Sequence, residues 1–427
     1  MNNVVWGATG FTGQYVAEYL LSEGPKDLRL ALAGRNQGKL EGVRQELAAN
    51  HPQAGKLAII TADSADDDRL AVMVRQTRVV ISTVGPYIQY GEPLVRACAT
   101  YSTDYVDITG EITWVKAMAR KYHAQAVRNG ALIVSCCGFD SIPSDLGVYM
   151  VVDYLKQRYG RDAQLVKGSM VRLKGTFSGG TIATAVETIA NGAKFQKAQR
   201  AEEAKDSNPT TRPKPDISNA DAGRGSSGLP IRYDEDFGKW QGFFFMAPTN
   251  TGVVRESNKA LGYGPKFHYE ETLSFPSAWK AFLSTAGLTL FYAMIAFSPT
   301  RWLMLKFLPA PGEGPKPEVI KRGYFTHHLI GEAADPSSVP NADNTKASAQ
   351  VVRAYAEVEG TSDPGYGQTI RYVSEAALCL ALQRDQTNVP GGVLTPAAAM
   401  GEALLKRYRS KGMRFEVGSE PFIKSKI

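Results

Sequence analysis

The chain has 427 residues, 43% of them hydrophobic, and 49 Lys and Arg against 42 Asp and Glu give a formal net charge of +7. That length is long for one domain and suits two with a large core. The cations are scattered, with no basic run interleaved with aromatics, which argues against a nucleic-acid reader; Cys98, Cys136, Cys137 and Cys379 show no metal-ligand spacing and fit a reducing compartment.

Residues 3–6 predict a short buried strand, leaving no room for a secretory signal peptide before it. Gly7-Ala8-Thr9-Gly10-Phe11-Thr12-Gly13 follows directly, and Val16, Ala17, Leu20 and Leu21 then keep helical spacing. Strand, glycine turn and helix in that order is the context of a dinucleotide fingerprint. Gly7 permits the tight turn, Gly10 lets backbone approach a pyrophosphate, and Gly13 lets helix pack on strand. The free N–H groups of the helix start would face the phosphates. A plain strand-to-helix turn is the competing reading. A second strand over 28–33 ends in Gly34-Arg35-Asn36, where an acidic residue would hold the ribose hydroxyl of NAD. Arg35, with Lys39 in support, suits a 2′-phosphate instead and favours NADP over NAD.

The alternation continues: helix 38–49, strand 57–61 with Asp63 beyond it near the adenine, helix 66–75, strand 79–83, helix 91–99, strand 105–107, helix 116–129 and strand 131–135. This predicts an α/β fold with a doubly wound parallel sheet. Ligands of such sheets lie beyond the carboxyl ends of the strands. Thr83, Gly85 and Pro86 would line the nicotinamide ribose there. Tyr87, Asp107, Glu111, Asp140 and Ser141 follow strands too and can donate or accept protons, so they are the catalytic candidates. Helix capping by Asp and Ser, and packing by Tyr, are the competing readings. The first 145 residues hold no Tyr-x-x-x-Lys pair of the short-chain dehydrogenase kind.

Beyond about residue 145 the period changes. A helix over 146–159 leads to a strand over 164–174, and Phe177-Ser178-Gly179-Gly180-Thr181 opens another helix. The polar stretch 201–228 reads as a mobile surface loop. Strands over 266–274, 323–333 and 347–360 look antiparallel. Helices over 366–382 and 396–408 are expected to pack back on the first domain. From Ala281 to Ser298 there is no charge, and the apolar run resumes to Leu308. Trp279-Lys280 and Arg301-Trp302 flank it like interfacial anchors, and the length is borderline for a bilayer span. An anchor on a membrane or lipid-droplet surface, a buried helix pair and a homodimer contact are the three readings.

Several segments occur in order: Gly7 to Gly13, Ala33-Gly34-Arg35, Ser82-Thr83-Val84-Gly85-Pro86-Tyr87, Tyr105-Val106-Asp107-Ile108-Thr109-Gly110-Glu111 and Cys137-Gly138-Phe139-Asp140-Ser141-Ile142-Pro143-Ser144-Asp145. Ser178-Gly179-Gly180-Thr181 and Gly391-Gly392-Val393-Leu394-Thr395-Pro396 complete the set. Over nearly the whole chain this resembles the saccharopine dehydrogenase-like oxidoreductases, the group that includes trans-acting enoyl reductases. The resemblance implies a Rossmann domain with a second α+β domain over its cleft, and a link to lipid droplets and membranes. Saccharopine reductases carry an Asp-Pro-Gly element in the cleft. The corresponding place here reads Gly138-Phe139-Asp140-Ser141-Ile142-Pro143, while Asp363-Pro364-Gly365 lies far downstream and reads as a turn, which counts against lysine-pathway activity.

The expected organisation is therefore a Rossmann domain over 1–145, an α+β substrate or dimerisation domain over 146–365, and C-terminal helices over 366–427. The expected activity is NADP(H)-dependent reduction of an activated C=C or C=N bond in a hydrophobic or lipid-derived substrate. Two rivals stand beside it. One is a saccharopine-type C–N dehydrogenase with Arg172 and Lys174 as carboxylate binders. The other is a non-catalytic NADP-binding protein on a membrane or lipid-droplet surface. The expected location is the cytosol or the cytoplasmic face of such a surface.

Overall fold

Short aliphatic runs bounded by glycine and polar residues make the N-terminal part alternate between strand and helix: β1 (Asn3–Trp6), α1 (Phe11–Glu23), β2 (Leu30–Gly34), α2 (Gln37–Asn50), β3 (Ala58–Thr61), α3 (Asp67–Arg75), β4 (Val79–Ser82), α4 (Tyr87–Tyr90), α5 (Glu92–Thr100), β5 (Asp104–Asp107), α6 (Ile112–Asn129), β6 (Leu132–Val134) and α7 (Ile142–Tyr159). Then come β7 (Leu165–Lys174), β8 (Arg232–Asp234), β9 (Lys239–Gly242), α8 (Ala247–Leu261), β10 (His268–Phe275), α9 (Ala278–Ala296), α10 (Ser298–Leu305), α11 (Pro317–Lys321), β11 (Tyr324–Ala334), β12 (Val351–Gly360), α12 (Thr369–Leu382), β13 (Gly392–Leu394), α13 (Pro396–Ala399), α14 (Gly401–Ser410) and β14 (Arg414–Gly418). This computed structural model describes residues 3–175, 231–306, 314–315, 317–335 and 351–421, with scattered helical positions between 186 and 201. The Ser178-Gly179-Gly180-Thr181 motif and the polar stretch from 202 to 228 lie outside the described residues.

The first sheet has seven strands in the order β13-β6-β5-β4-β1-β2-β3, and every pairing in it is parallel. The strand order reverses between β1 and β4, the switch point at which such sheets bind ligands. Both faces are covered. Val5, Leu32, Ile81, Val106 and Val134 join the core cluster that also holds Val16 and Leu20 of α1, while Val4, Ala31, Val80, Tyr105 and Ile133 join the one beneath α3, α5 and α6. A sheet buried on both sides reads as continuous apolar runs, as these strands do.

The second sheet, β14-β12-β11-β7-β10-β9-β8, is mixed. Helix α7 lies across it: Val148, Val151 and Leu155 belong to one core with Leu329, Ala333, Ala354 and Val358. Each of the larger side chains among these, fully buried, stabilises by about 1.5–3 kcal/mol. That core is continuous with the α1 side of the first sheet, so α7 couples the two layers.

Several sequence expectations change here. The strand expected over 266–274 is not antiparallel to all its neighbours, because β10 runs parallel to β7 and antiparallel to β9. A parallel pair needs a long crossover, and here the chain between β7 and β10 includes α8. The helix expected over 396–408 is broken at Met400 into α13 and α14, where Gly401 takes a φ of +42°. The C-terminal part is more than helices: β13 extends the first sheet and β14 edges the second. Helix α8 escaped the apolar periodicity because its buried face includes Asn250, Gly252 and Ser257.

Strand β13 is held at the sheet edge by Arg384. Its guanidinium donates to the Asp104 carboxylate (3.0 Å), Gly130 O (3.0 Å) and Pro390 O (2.6 Å). Burial raises the Asp104 pKa, and the Leu132 N–H and Arg384 pull it back. Removing Arg384 leaves that carboxylate buried without its ion-pair partner, with the Leu132 N–H as its remaining close donor. Arg384→Ala is expected to cost about 2–3 kcal/mol in urea unfolding; an unchanged midpoint would refute the role assigned to this pair.

Candidate active site

The turn after β1 is built for close approach. Gly7 has a φ of +89°, and a Cβ on it would lie 2.6 Å from Val84 Cγ2 and 2.8 Å from Thr83 Oγ1. A Cβ on Gly13 would lie 2.3 Å from Gly7 O, so α1 sits directly on the turn. At Gly10 the nearest neighbour is Gly7 O, 3.3 Å away, which leaves the outer side of the loop open. Gly10 is the N-cap of α1, and the helix start has neither a capping side chain nor an acidic first turn. Its free N–H groups and positive dipole end therefore suit a pyrophosphate, beside Ala8, Thr9, Phe11 and Thr12. Thr83 Oγ1 ties the end of β4 to this turn by donating to Trp6 O (3.1 Å).

At the end of β2, Arg35 and Lys39 are both exposed. Asn36 caps α2 by accepting from Lys39 N (2.9 Å), so the two cations flank a helix N-terminus, where an anionic 2′-phosphate fits. Asp63 is exposed, and its carboxylate accepts from Ala65 N (3.0 Å).

Three of the five proton-transfer candidates hold loops in place. Glu111 caps α4, its two oxygens accepting from Tyr87 N (2.8 Å) and Ile88 N (2.7 Å). The Tyr87 hydroxyl is buried and donates to Ser82 O (2.9 Å). Asp107 is fully buried and accepts from Thr109 N (3.1 Å), Cys136 N (3.0 Å) and Ser135 Oγ (2.9 Å). Burial raises its carboxyl to about 6 against these donors. The loops carrying Gly85-Pro86 and 109–111 are thereby fixed to the strand ends. Cys136 and Cys137 are buried and pushed well above the usual thiol range by desolvation, so they stay protonated.

Asp140 is different. It follows β6 in the turn before α7, and no hydrogen bond or ion pair to its carboxylate is present among the described residues. Part of its surface reaches solvent, yet the surrounding protein pushes its pKa up to about 6, with burial the sole cause. Oδ2 lies 3.9 Å from where a Cβ on Gly110 would stand, and Met246 Cε lies 3.7 Å from the same point. Ser141 is the N-cap of α7, its hydroxyl buried near the Cys136 thiol.

Sequence reasoning missed the supports of this turn. Thr369 Oγ1 accepts from Phe139 N (3.0 Å) and donates to Pro364 O (3.1 Å). The Asp363-Pro364-Gly365 stretch, distant in sequence, therefore stands against the turn that carries Asp140. Asp363 is fully buried and accepts from Tyr366 N (3.0 Å), and the Tyr366 ring meets Phe11 edge-on at 5.0 Å. Asp145 accepts from Ser257 Oγ and from Ala397 N (2.8 Å), with burial raising it to about 7. Only the family-type motif 137–145 marked Asp145 in the sequence. Of the carboxylate binders considered, Arg172 and Lys174 are exposed at the C-terminal end of β7, next to Gly175, where a Cβ would lie 2.8 Å from Pro364 Cδ, and Arg172 stacks over the Tyr324 ring at 4.7 Å.

The 2′-phosphate assignment is tested by Arg35→Asp. NADPH affinity is expected to fall at least about tenfold with little change for NADH; an equal loss of both in a fluorescence titration would remove the assignment.

Residues 4–134 match the family model described as the saccharopine dehydrogenase NADP-binding domain. A Mycobacterium tuberculosis protein named as a candidate trans-acting enoyl reductase is 37% identical over 431 residues, covering 97% of this chain and 96% of that one. The trans-acting enoyl reductase of Mycobacterium leprae is 35% identical and covers 96% of both chains. Saccharopine dehydrogenase (L-Glu forming) of Saccharomyces cerevisiae is similar in fold, with a TM-score of 0.54 over 98% of this chain and 99% of that one at 12% identity. With the glycine cradle, the cations after β2 and relatives matched end to end, the chain belongs to the saccharopine dehydrogenase-like oxidoreductases related to trans-acting enoyl reductases, as an NADP-dependent oxidoreductase.

Proposed function

We propose that the protein reduces a C=C bond conjugated to a carbonyl in a hydrophobic, lipid-derived acyl substrate. The observation that carries this reading is Asp140: a carboxyl free of hydrogen bonds among the described residues, raised to about 6 and partly open to solvent at the ligand end of the first sheet. Names of relatives at 35–37% identity support the enoyl class. The bound cofactor would supply a hydride from the nicotinamide C4 to the β-carbon. Asp140 supplies the proton that the α-carbon then takes up, so one hydride and one proton saturate the double bond. Met246, partly exposed, puts an apolar side chain beside Gly110, suited to an acyl chain.

Asp140 must hold its proton to act. Its folded pKa of about 6 lies above the usual carboxyl value of about 4, so it favours the fold at low pH. That contribution is lost as pH rises from about 4 to about 6. The chemical step is accordingly expected to slow as pH rises through about 6. Asp140→Asn removes the ionisation and is expected to fold at least as stably at pH above 7, to bind NADPH normally, and to lose about 100-fold or more in turnover of a long-chain 2-enoyl thioester. Undiminished turnover in the variant, or a rate independent of pH across that range, would eliminate Asp140 as the acid. Oxidation of NADPH by imines but by no enoyl thioester would transfer the reading to C=N reduction.

A further inference from the structure

Half of the exposed large hydrophobic residues of the described chain, seven of fourteen, fall between 279 and 303. They belong to α9 and α10 and the turn between them. Of the 19 residues of α9 only Ala281 and Ile295 are buried, and no charged residue occurs between Lys280 and Arg301. Phe282, Leu283 and Leu290 are 49%, 52% and 61% exposed, and Phe297, Trp302 and Leu303 around the turn are 62%, 62% and 51% exposed. An apolar surface of this extent is not a feature of an ordinary soluble face.

The pair has one fixed end. Thr285 accepts from Phe243 N (3.4 Å), and a Cβ on Gly242 would meet Thr285 Oγ1 at 3.2 Å, so the first turns of α9 are docked on β9. From Ala286 to Ala296 the helix extends about 15 Å, the depth of one leaflet of a hydrocarbon core about 30 Å thick. At the far end its open carbonyls are covered: Arg301 donates to Ile295 O (3.3 Å) and Thr300 to Phe297 O (2.9 Å). Lys306 lies 3.6 Å over the Trp302 ring, an aromatic–cation pair of the interfacial kind. Lys280, Arg301 and Lys306 are cations at the two ends of the apolar stretch, and the chain as a whole carries +7.

We propose that α9 and α10 form a wedge that enters one leaflet of an anionic bilayer, and that the cleft takes its acyl substrate directly from that leaflet. The docked end of α9 is bonded to Phe243, and the next residues, Phe244 to Met246, run to Gly110 and Asp140. Phe245 and Met246, apolar and partly exposed, lie on that short stretch between the docked end of α9 and Gly110. This rests on the hydrophobic-substrate reading above for the route, while the docking stands on exposure and charge alone.

The purified full chain is mixed with vesicles of phosphatidylcholine plus phosphatidylglycerol, and with vesicles of phosphatidylcholine alone, and floated on a gradient. It is expected to float with the anionic vesicles, less so at high salt. The double variant Phe282→Glu, Leu290→Glu changes exposed side chains only; its flotation is expected to drop at least about tenfold with NADPH binding unchanged. The same variant is expected to lose turnover of a long-chain enoyl substrate embedded in vesicles and keep turnover of a short soluble one. Failure of the wild type to float, equal flotation with both vesicles, or a variant that floats undiminished overturns the proposal. So does a wild-type dimer in lipid-free buffer that the double variant dissociates without any flotation, which would make this face a contact between copies. Flotation with no turnover of any enoyl substrate would leave the docking in place and remove the reductase reading.

Discussion

The Asp145 carboxylate holds the arrangement together. It sits in the first turn of α7 and accepts from Ser257 of α8 and from the backbone of Ala397, bringing the helix that joins the two sheets, the helix above the second sheet and the returning C-terminus to one point. Its burial is complete and raises its pKa to about 7, so its donors offset a substantial desolvation cost. Fixing that turn also fixes the residues just before it, Gly138 to Ser141. Asp140 and the interlayer contact thus lie at one helix start.

The carboxylates at the ends of the parallel strands show how one residue type takes several jobs. Asp104 pairs with Arg384 to hold the last strand, Asp107 collects three donors from adjoining loops, and Glu111 caps α4. Each has donors matched to its oxygens, as buried carboxylates require. Asp140 has none among the described residues, and a carboxyl with no donors to hold its charge keeps its proton to higher pH. Environment separates the roles.

The second sheet serves the site through its connections. Strand β9 runs into Phe243 to Met246, which both anchor α9 and border Gly110, so the apolar helix and the candidate acid are neighbours through one short stretch of backbone. Thr249 Oγ1 donating to Gly110 O (3.1 Å) fixes that stretch to the first sheet. Phe11 against Tyr366 makes a second bridge beside the phosphate turn.

Local spacing alone determined the parallel strands, the glycine turn and the basic position after β2, because each depends on contacts within a few residues. The fingerprint is legible because Gly7 and Gly13 answer to backbone conformation and near-neighbour clash. Residue type likewise nominated Tyr87, Asp107, Glu111, Asp140 and Ser141, but it could not rank them. That ranking needs to know which donors reach each oxygen, and those donors come from distant positions, as Cys136 does for Asp107 and Tyr87 for Glu111. Tertiary structure alone decided that β10 runs parallel to β7, that 392–394 is a strand, and that Asp363 and Thr369 support the Asp140 turn. It also decided that the apolar run from 281 lies on the surface: the same composition fits a buried helix, and only the packing around Phe282 and Leu290 leaves them open to solvent.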